Sequence, residues 1–291
     1  MTKASSPKSG VKKAAKPVAK AAKPAKPVAK AGTKAVAKTA TPGKAVTIDA
    51  AGVYYKQLNE RIREAVAAGA KEITLVNVNG QRYIADGVAA EVKFTIQGVP
   101  GQDMAAFMRG PVIRVEANAQ DGVGNTMDDG RVIVNGLAGD VIGYAMRGGR
   151  IMIKGDVGYR VGIHMKAYKE KLPTIVVGGK SGDFLGEYMA GGVILLLGMF
   201  TDKPEDPITG RSLGTGMHGG VIYVRGEVPD YQLGPGLHTQ PVDETDMKMI
   251  RELSEDFATE FKVSAKTILS KPFVKVKPFS HRPYGNMYVP A

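Results

Sequence analysis

The 291 residues, 43% of them hydrophobic, suffice for one large domain or two small ones with a buried core. The absence of cysteine excludes disulfides, thiolate metal sites, iron–sulfur ligation and a cysteine nucleophile within this sequence. No apolar run reaches the roughly 18 residues of a membrane span, and the N-terminus lacks the apolar stretch of a secretion signal, so a cytoplasmic location and no membrane partner are expected.

The net charge of +12 is concentrated at one end: residues 1–45 hold twelve lysines and no acidic residue, while the other 28 cations are balanced by 28 anions. This Ala-Lys-Pro tract, with its reiterated KPVAK units, has too few large apolar groups to offset the entropy of ordering and is read as a disordered tail. A solubilising spacer is its leading reading. Docking to acidic partners or nucleic acid is the other use that a lysine run supports.

Residues 46–98 are expected to form a cap. From Tyr54 to Ala70, Leu58, Ile62 and Val66 fall on one stripe at helical spacing, with Gly69 near the end. EITLVNV and QRYIADG then flank Asn79-Gly80, a pair suited to the positive φ angles of a type I′ hairpin, which predicts two antiparallel strands.

Residues 99–228 carry a repeat. Methionines stand at 108, 127, 146, 165, 189 and 217, with three gaps of 19 followed by 24 and 28, as if five and nine residues were inserted. Three positions before them lie Ala105, Gly124, Gly143, Gly162, Gly186 and Gly214, which are read as structural corners. Short β runs follow: RVIVNG, RIMIKG, TIVVGG, VILLLG and VIYVRG. Two columns, Ile113, Val132, Ile151, Ile175, Ile194, Ile222 and Val115, Val134, Ile153, Val177, Leu196, Val224, are read as inward stacks. A unit this short buries its apolar face only by stacking on copies of itself. The expected fold is therefore mostly β: a single-stranded right-handed parallel β-helix of six or seven coils, about 4.8 Å apart, with flanking helices.

The copy VILLLGMF is apolar at every position, so Leu195 and Leu197 need cover on the outer face, either from the C-terminal segment or from a partner, and they mark a candidate partner contact. In residues 229–291, Asp243 or Thr245 can cap a helix through MKMIRELSEDFATEF, with Met249, Leu253 and Phe257 on one face. The remaining segment reads as an extended strap whose aromatics Phe273, Phe279, Tyr284 and Tyr288 need a packing surface.

Fragments that imitate chemistry are absorbed by the repeat. Gly214-Thr-Gly216-Met-His-Gly219 fits GxGxxG but lacks the strand, turn and long helix of a dinucleotide site. Gly179-Lys180-Ser181 has Thr174 where a phosphate loop needs its first glycine. His164 and His218 flank repeat methionines and are read as polar corner residues ahead of a metal or acid–base cluster. Asp121, Asp140 and Asp183, each six before a methionine, are read as turn caps. No catalytic, cofactor-binding or metal residue is identified.

The run DGVGNTMDDGRVIVNGLAGDVIGYAMRGGRIMIKGDVGYRVGIHMK, with GDFLGEYMAGG, GMHGGVIYVRG and NVNGQRYIADG, resembles the C-terminal domain of the glutamate synthase large subunit over about Val53 to Val228. That domain is named for its GXGXG repeat. The resemblance implies a scaffold with FMN and the iron–sulfur cluster in partner subunits, namely a glutaminase-like subunit and an FMN-binding glutamate synthase-like subunit. Stand-alone versions also resemble the B subunit of N-methylglutamate synthase, of methylamine metabolism. A more distant user of the same coil is the C subunit of formylmethanofuran dehydrogenase, which would imply a formyltransferase/hydrolase complex instead.

Overall fold

The computed structural model describes residues 44–278. Most of the lysine tail, and Phe279, Tyr284 and Tyr288, lie outside the described residues. Lys44 and Ala45, assigned to the tail, begin the first strand.

In chain order the elements are β1 (Lys44–Asp49), α1 (Tyr55–Ala67), β2 (Ala70–Asn79), β3 (Lys93–Val99), β4 (Val112–Val115), β5 (Arg131–Val134), β6 (Arg150–Ile153), β7 (Thr174–Val177), β8 (Ala190–Leu196), β9 (Gly219–Arg225), β10 (Thr239–Pro241), α2 (Glu244–Phe261), α3 (Ala265–Ile268) and β11 (Phe273–Val276). All eleven strands share one sheet, in the order β1 to β9, then β11, then β10. The first nine pair in parallel, which makes a β-solenoid of about six turns, and β11 closes its end by running antiparallel to β9.

The register is the one the repeat demands. Ile113, Val132, Ile151, Ile175, Ile194 and Ile222 pair in succession, as do Val115, Val134, Ile153, Val177, Leu196 and Val224, and both columns are fully buried. The methionines form a third buried column.

The expected hairpin is corrected. Gly80 does take a positive φ of 76°, but its N–H bonds to Val99 O at 2.8 Å, and β2 pairs in parallel with both β1 and β3. QRYIADG forms no strand. The physical reason is that Ile84, Ala85 and Val88 stand where Met104, Ala105 and Met108 stand one coil later. The Ala105 N–H bonds to Ile84 O at 2.9 Å, just as the Gly124 N–H bonds to Met104 O at 2.9 Å. The segment is an early, degenerate coil. The repeat also continues past Val228, because the Gly234 N–H bonds to Leu213 O at 2.7 Å and Leu237 occupies the methionine position.

The glycines read as corners line a wall. Each coil is flattened, with one strand on one side and a run of turns facing it. Along that run the backbone is left-handed at every second residue: φ is 72°, 70° and 52° at Gly122, Gly124 and Thr126, and 55°, 72° and 56° at Arg160, Gly162 and His164. The N–H groups of successive left-handed residues point in opposite directions along the solenoid. Gly122 donates to Asp140 O at 2.9 Å in the next coil, Gly124 to Met104 in the previous one, and Thr126 to Tyr144 O at 2.7 Å in the next. The wall therefore satisfies its backbone donors without being a sheet.

Glycine is needed at the centre of the run for space as well as for φ. A β-carbon on Gly124 would lie 2.4 Å from Ile151 Cδ1, and the Cβ positions of Gly143, Gly162 and Gly186 would lie 2.5, 2.6 and 2.5 Å from Ile175, Ile194 and Ile222. At Gly214 the neighbour is Leu237, at 2.7 Å. The same register puts Val132, which has no δ carbon, opposite Ala105. It puts Ile113 opposite Ala85, so the matching is not strict in the first coils. A second glycine column, three after the methionines, admits the methionine of the preceding coil: a Cβ on Gly149 would lie 2.5 Å from Met127 Cε, and one on Gly220 2.4 Å from Met189 Cε.

The outer face of the sheet is covered by the chain itself. Asp243 caps α2, accepting from the Asp246 N–H at 3.0 Å while the Asp246 carboxylate accepts from the Asp243 N–H at 2.9 Å. The helix lays Ile250, Leu253, Phe257 and Phe261 on Ile133, Met152, Val176, Leu195 and Leu197. Leu195 and Leu197 have no exposed surface. Of the two covers expected for them, the C-terminal segment is the one present, with Leu195 and Leu197 packed in one cluster with Leu253 and Phe257 of α2. Met249 sits at the margin, because Ile250 takes the central position.

Candidate functional site

Two faces could carry function: the outer face of the sheet under α2, and the outer face of the turn wall opposite. On the first, Arg114, Arg131 and Arg150 of consecutive strands meet acidic residues of α2. Arg131 Nη2 lies 2.8 Å from Asp256 and 2.9 Å from Glu260, Arg150 pairs with Asp256 and with Glu252 at 3.1 Å, and Arg114 pairs with Glu260. Burial by itself would raise the Asp256 carboxyl, yet hydrogen bonds from Arg131 and Arg150 hold it below the usual carboxylate range.

A second anchor lies at the other end of the helix. Asp246, buried, takes a 2.7 Å hydrogen bond from the Tyr223 hydroxyl and an ion pair from Lys275 of β11, which also reaches Asp243 at 2.9 Å. Asp246 is likewise held low: desolvation opposes ionisation, and the Asp243 N–H, Lys275 and Tyr223 overcome it. Desolvation and that carboxylate push Tyr223 upward. Every charge in this set is used in docking the helix.

The aspartates six before the methionines cap backbone, one coil away rather than locally. Asp121 Oδ1 accepts from the Asp140 N–H at 2.9 Å, Asp140 Oδ1 from the Tyr159 N–H at 2.8 Å, and Asp183 Oδ1 from the Arg211 N–H at 2.7 Å. The Lys180 ammonium, drawn from the phosphate-loop imitation, is buried and donates to the carbonyls of Lys203, Pro204 and Asp206, so it holds the inserted loop. Among the described residues, no three His, Asp or Glu side chains gather as a metal site.

The turn wall is different, because its outward side chains include aromatic rings left partly exposed among the described residues. Tyr144, His164 and Tyr188, from three successive coils, form a row: the Tyr144 and His164 ring centroids are 5.9 Å apart and edge-on, while those of His164 and Tyr188 are 5.4 Å apart and parallel within 10°. Tyr188 continues over Gly216, where a β-carbon would meet its ring at 2.4 Å. Tyr144 and Tyr188 are 39% and 41% exposed, large values for rings that pack against neighbours. Beside them the Arg160 guanidinium lies 4.7 Å over the Phe184 ring and 2.9 Å from the buried Glu187 carboxylate. Arg147 and Lys166, each directly after a repeat methionine, are exposed and make no ion pair among the described residues. His218 lies at the wall's end, with Nδ1 3.3 Å from Gly216 O.

Sequence reasoning placed His164 at a polar corner and did not single out Tyr144 or Tyr188. The signal was present: aromatic side chains recur one or two positions before the methionines, at Phe107, Tyr144, His164 and Tyr188, where the strand pattern assigns no inward direction.

A cysteine-free β-solenoid with a left-handed turn wall keyed by glycines defines the class of this protein, and the comparison with known families agrees. The GXGXG motif family model matches residues 57–280, and the chain belongs to that family, which is the family of the C-terminal domain found in the large chain of glutamate synthase. The match begins just inside the expected start at Val53 but runs past Val228 and takes in α2 and β11. Among individual proteins, the chain is 45% identical over 253 residues to an uncharacterized protein of Methanocaldococcus jannaschii, covering 84% of this chain and 97% of that protein. The domain suggests a glutamate synthase-related role. Among the described residues, no helix is long and apolar enough to cross a membrane.

Proposed function

We propose that the chain is a non-catalytic scaffold subunit of a glutamate synthase-type complex, with glutamine hydrolysis and flavin chemistry supplied by a glutaminase-like and an FMN-binding partner subunit. The observation that carries this reading is a family fold whose interior is wholly used. The space between the sheet and the turn wall is filled by the isoleucine and methionine columns, which leaves no slot for a flavin ring. The sequence has no cysteine to ligate an iron–sulfur cluster or to attack a glutamine amide. The residues of this chain therefore do not fit either group, and no reaction step is assigned to them.

The test is co-expression of the full chain with the glutaminase-like and FMN-binding subunits of its source, followed by native mass spectrometry and assay. A stable complex, with glutamate formation from glutamine and 2-oxoglutarate that depends on this chain, is expected. Methylamine accepted in place of ammonia would assign the N-methylglutamate branch. Tight FMN binding and turnover by the chain alone would overturn the scaffold role, and assembly instead with amidohydrolase-like and formyltransferase-like subunits would move the chain to the formyl-transfer class.

A further inference from the structure

The row Tyr144, His164, Tyr188 on the turn wall has the composition of an interface core, and among the described residues no segment packs over it. Tyrosine and arginine dominate the centres of protein interfaces because they desolvate a large area at small entropic cost and retain a polar tip. Here the rings are spaced by the solenoid itself, one per coil, and each is fixed by its neighbour or by Gly216. The opposite face is already closed by α2, and among the described residues the wall is the long face left without a cover.

Charge indicates what could cover it. Glu187, the residue before Tyr188, is buried and paired with Arg160 at 2.9 Å, and Asp128, one coil before Arg147, is paired with Arg109. Arg147 and Lys166 flank the rings as cations without an ion pair among the described residues. A second copy of the same wall would bring these cations face to face. An acidic surface would neutralise them as the rings were buried, because desolvated charges require partners.

We infer that the wall centred on Tyr144, His164 and Tyr188, edged by Arg147 and Lys166, is the docking surface for a partner protein that presents carboxylates around an apolar patch. This rests on the scaffold reading, whose partners are the glutaminase-like and FMN-binding subunits. Docking there leaves α2, and the stability of the solenoid, untouched.

The experiment uses the full chain co-expressed with those two subunits and compares wild type with Tyr144→Ala/Tyr188→Ala and with Arg147→Glu/Lys166→Glu. Each double variant should keep the wild-type melting temperature and lose affinity for one of the two subunits by about thirtyfold or more, the scale of a lost interface anchor. The charge reversal should weaken binding most at low salt. If wild type assembles and both variants assemble equally well, the docking surface is wrong while the scaffold role stands. If wild type does not assemble with either of them, the scaffold reading itself fails. A wild-type homodimer that the tyrosine variant dissociates would make the wall a self-contact, and retention of a single-stranded oligonucleotide lost in the variants would make it a nucleic-acid platform; either result overturns the inference.

Discussion

The two outer faces of this solenoid are built from the same repeat and end in opposite states. The sheet side alternates, so alternate residues of β5 to β9 point outward, and in the later coils those residues are apolar: Ile133, Met152, Val176, Leu195, Tyr223. The chain must supply a cover, and α2 does so, with an apolar strip along β5 to β9 and an arginine–carboxylate ladder along β4 to β6. The wall side has no such alternation. Its left-handed residues donate to neighbouring coils and residues between them donate within the coil, so the wall's backbone is satisfied without a cover, and its outward side chains are not committed to the core. A face that is finished structurally is the one on which a solenoid can carry recognition without cost to its fold.

The contrast can be broken most severely from the covered side. Phe257→Ala removes the ring that lies on the sheet and touches Phe200 and Phe261, and should cost about 3–5 kcal/mol in urea unfolding, as large core truncations do. A loss under about 1 kcal/mol, far below that range, would mean that α2 is an ornament on an independently stable sheet.

The wall should yield next, and from within. Gly143→Ala forces a side chain into a left-handed residue with φ of 68° and against Ile175 Cδ1, and should cost about 2–4 kcal/mol, the sum of conformational strain and overpacking. Adding Ile175→Val, which copies the Ala105 and Val132 pairing, should recover about half of that loss by removing only the steric part. Equal stability of the single and double variants would show that the overlap is relieved by other means.

Acid should sharpen the comparison, because α2 is docked on the covered face through ionised carboxylates. Asp246 and Asp256 are both lowered in the folded state, so their stabilisation is complete above the ordinary carboxylate range near pH 4 and is lost as pH falls through their lower folded values. Protease sensitivity of α2 should rise below about pH 4 while the parallel sheet persists, and Asp256→Asn should remove part of that dependence. Release beginning above pH 6 would contradict this assignment.

The smallest effect is the most discriminating for function. Tyr144→Ala should change stability by under about 0.5 kcal/mol, as exposed substitutions do, although it removes a ring contact with His164. A loss above about 2 kcal/mol, on the scale of a core truncation, would place the row in the architecture of the wall rather than on its surface.

Much of the molecule was legible from residues alone. The 19-residue spacing of methionine and glycine specified the coil, the alternation of the strands specified both inward columns, and the unbroken run at Leu195 and Leu197 required an outer cover. Each of these is a local pattern with one packing solution, because a short unit can bury its apolar face only by stacking in register. The errors came where one local pattern has two solutions: Asn79-Gly80 satisfies a hairpin turn and a solenoid turn equally well, and only the pairing of β2 with both β1 and β3 selects between them. The glycine column likewise announced close approach without naming what approached. That it forms a wall pressed against isoleucines of the next coil, that α2 rather than a partner covers the sheet, and that Tyr144, His164 and Tyr188 meet in one row are facts of the third dimension, since each joins residues at least a coil apart whose contact no local pattern encodes.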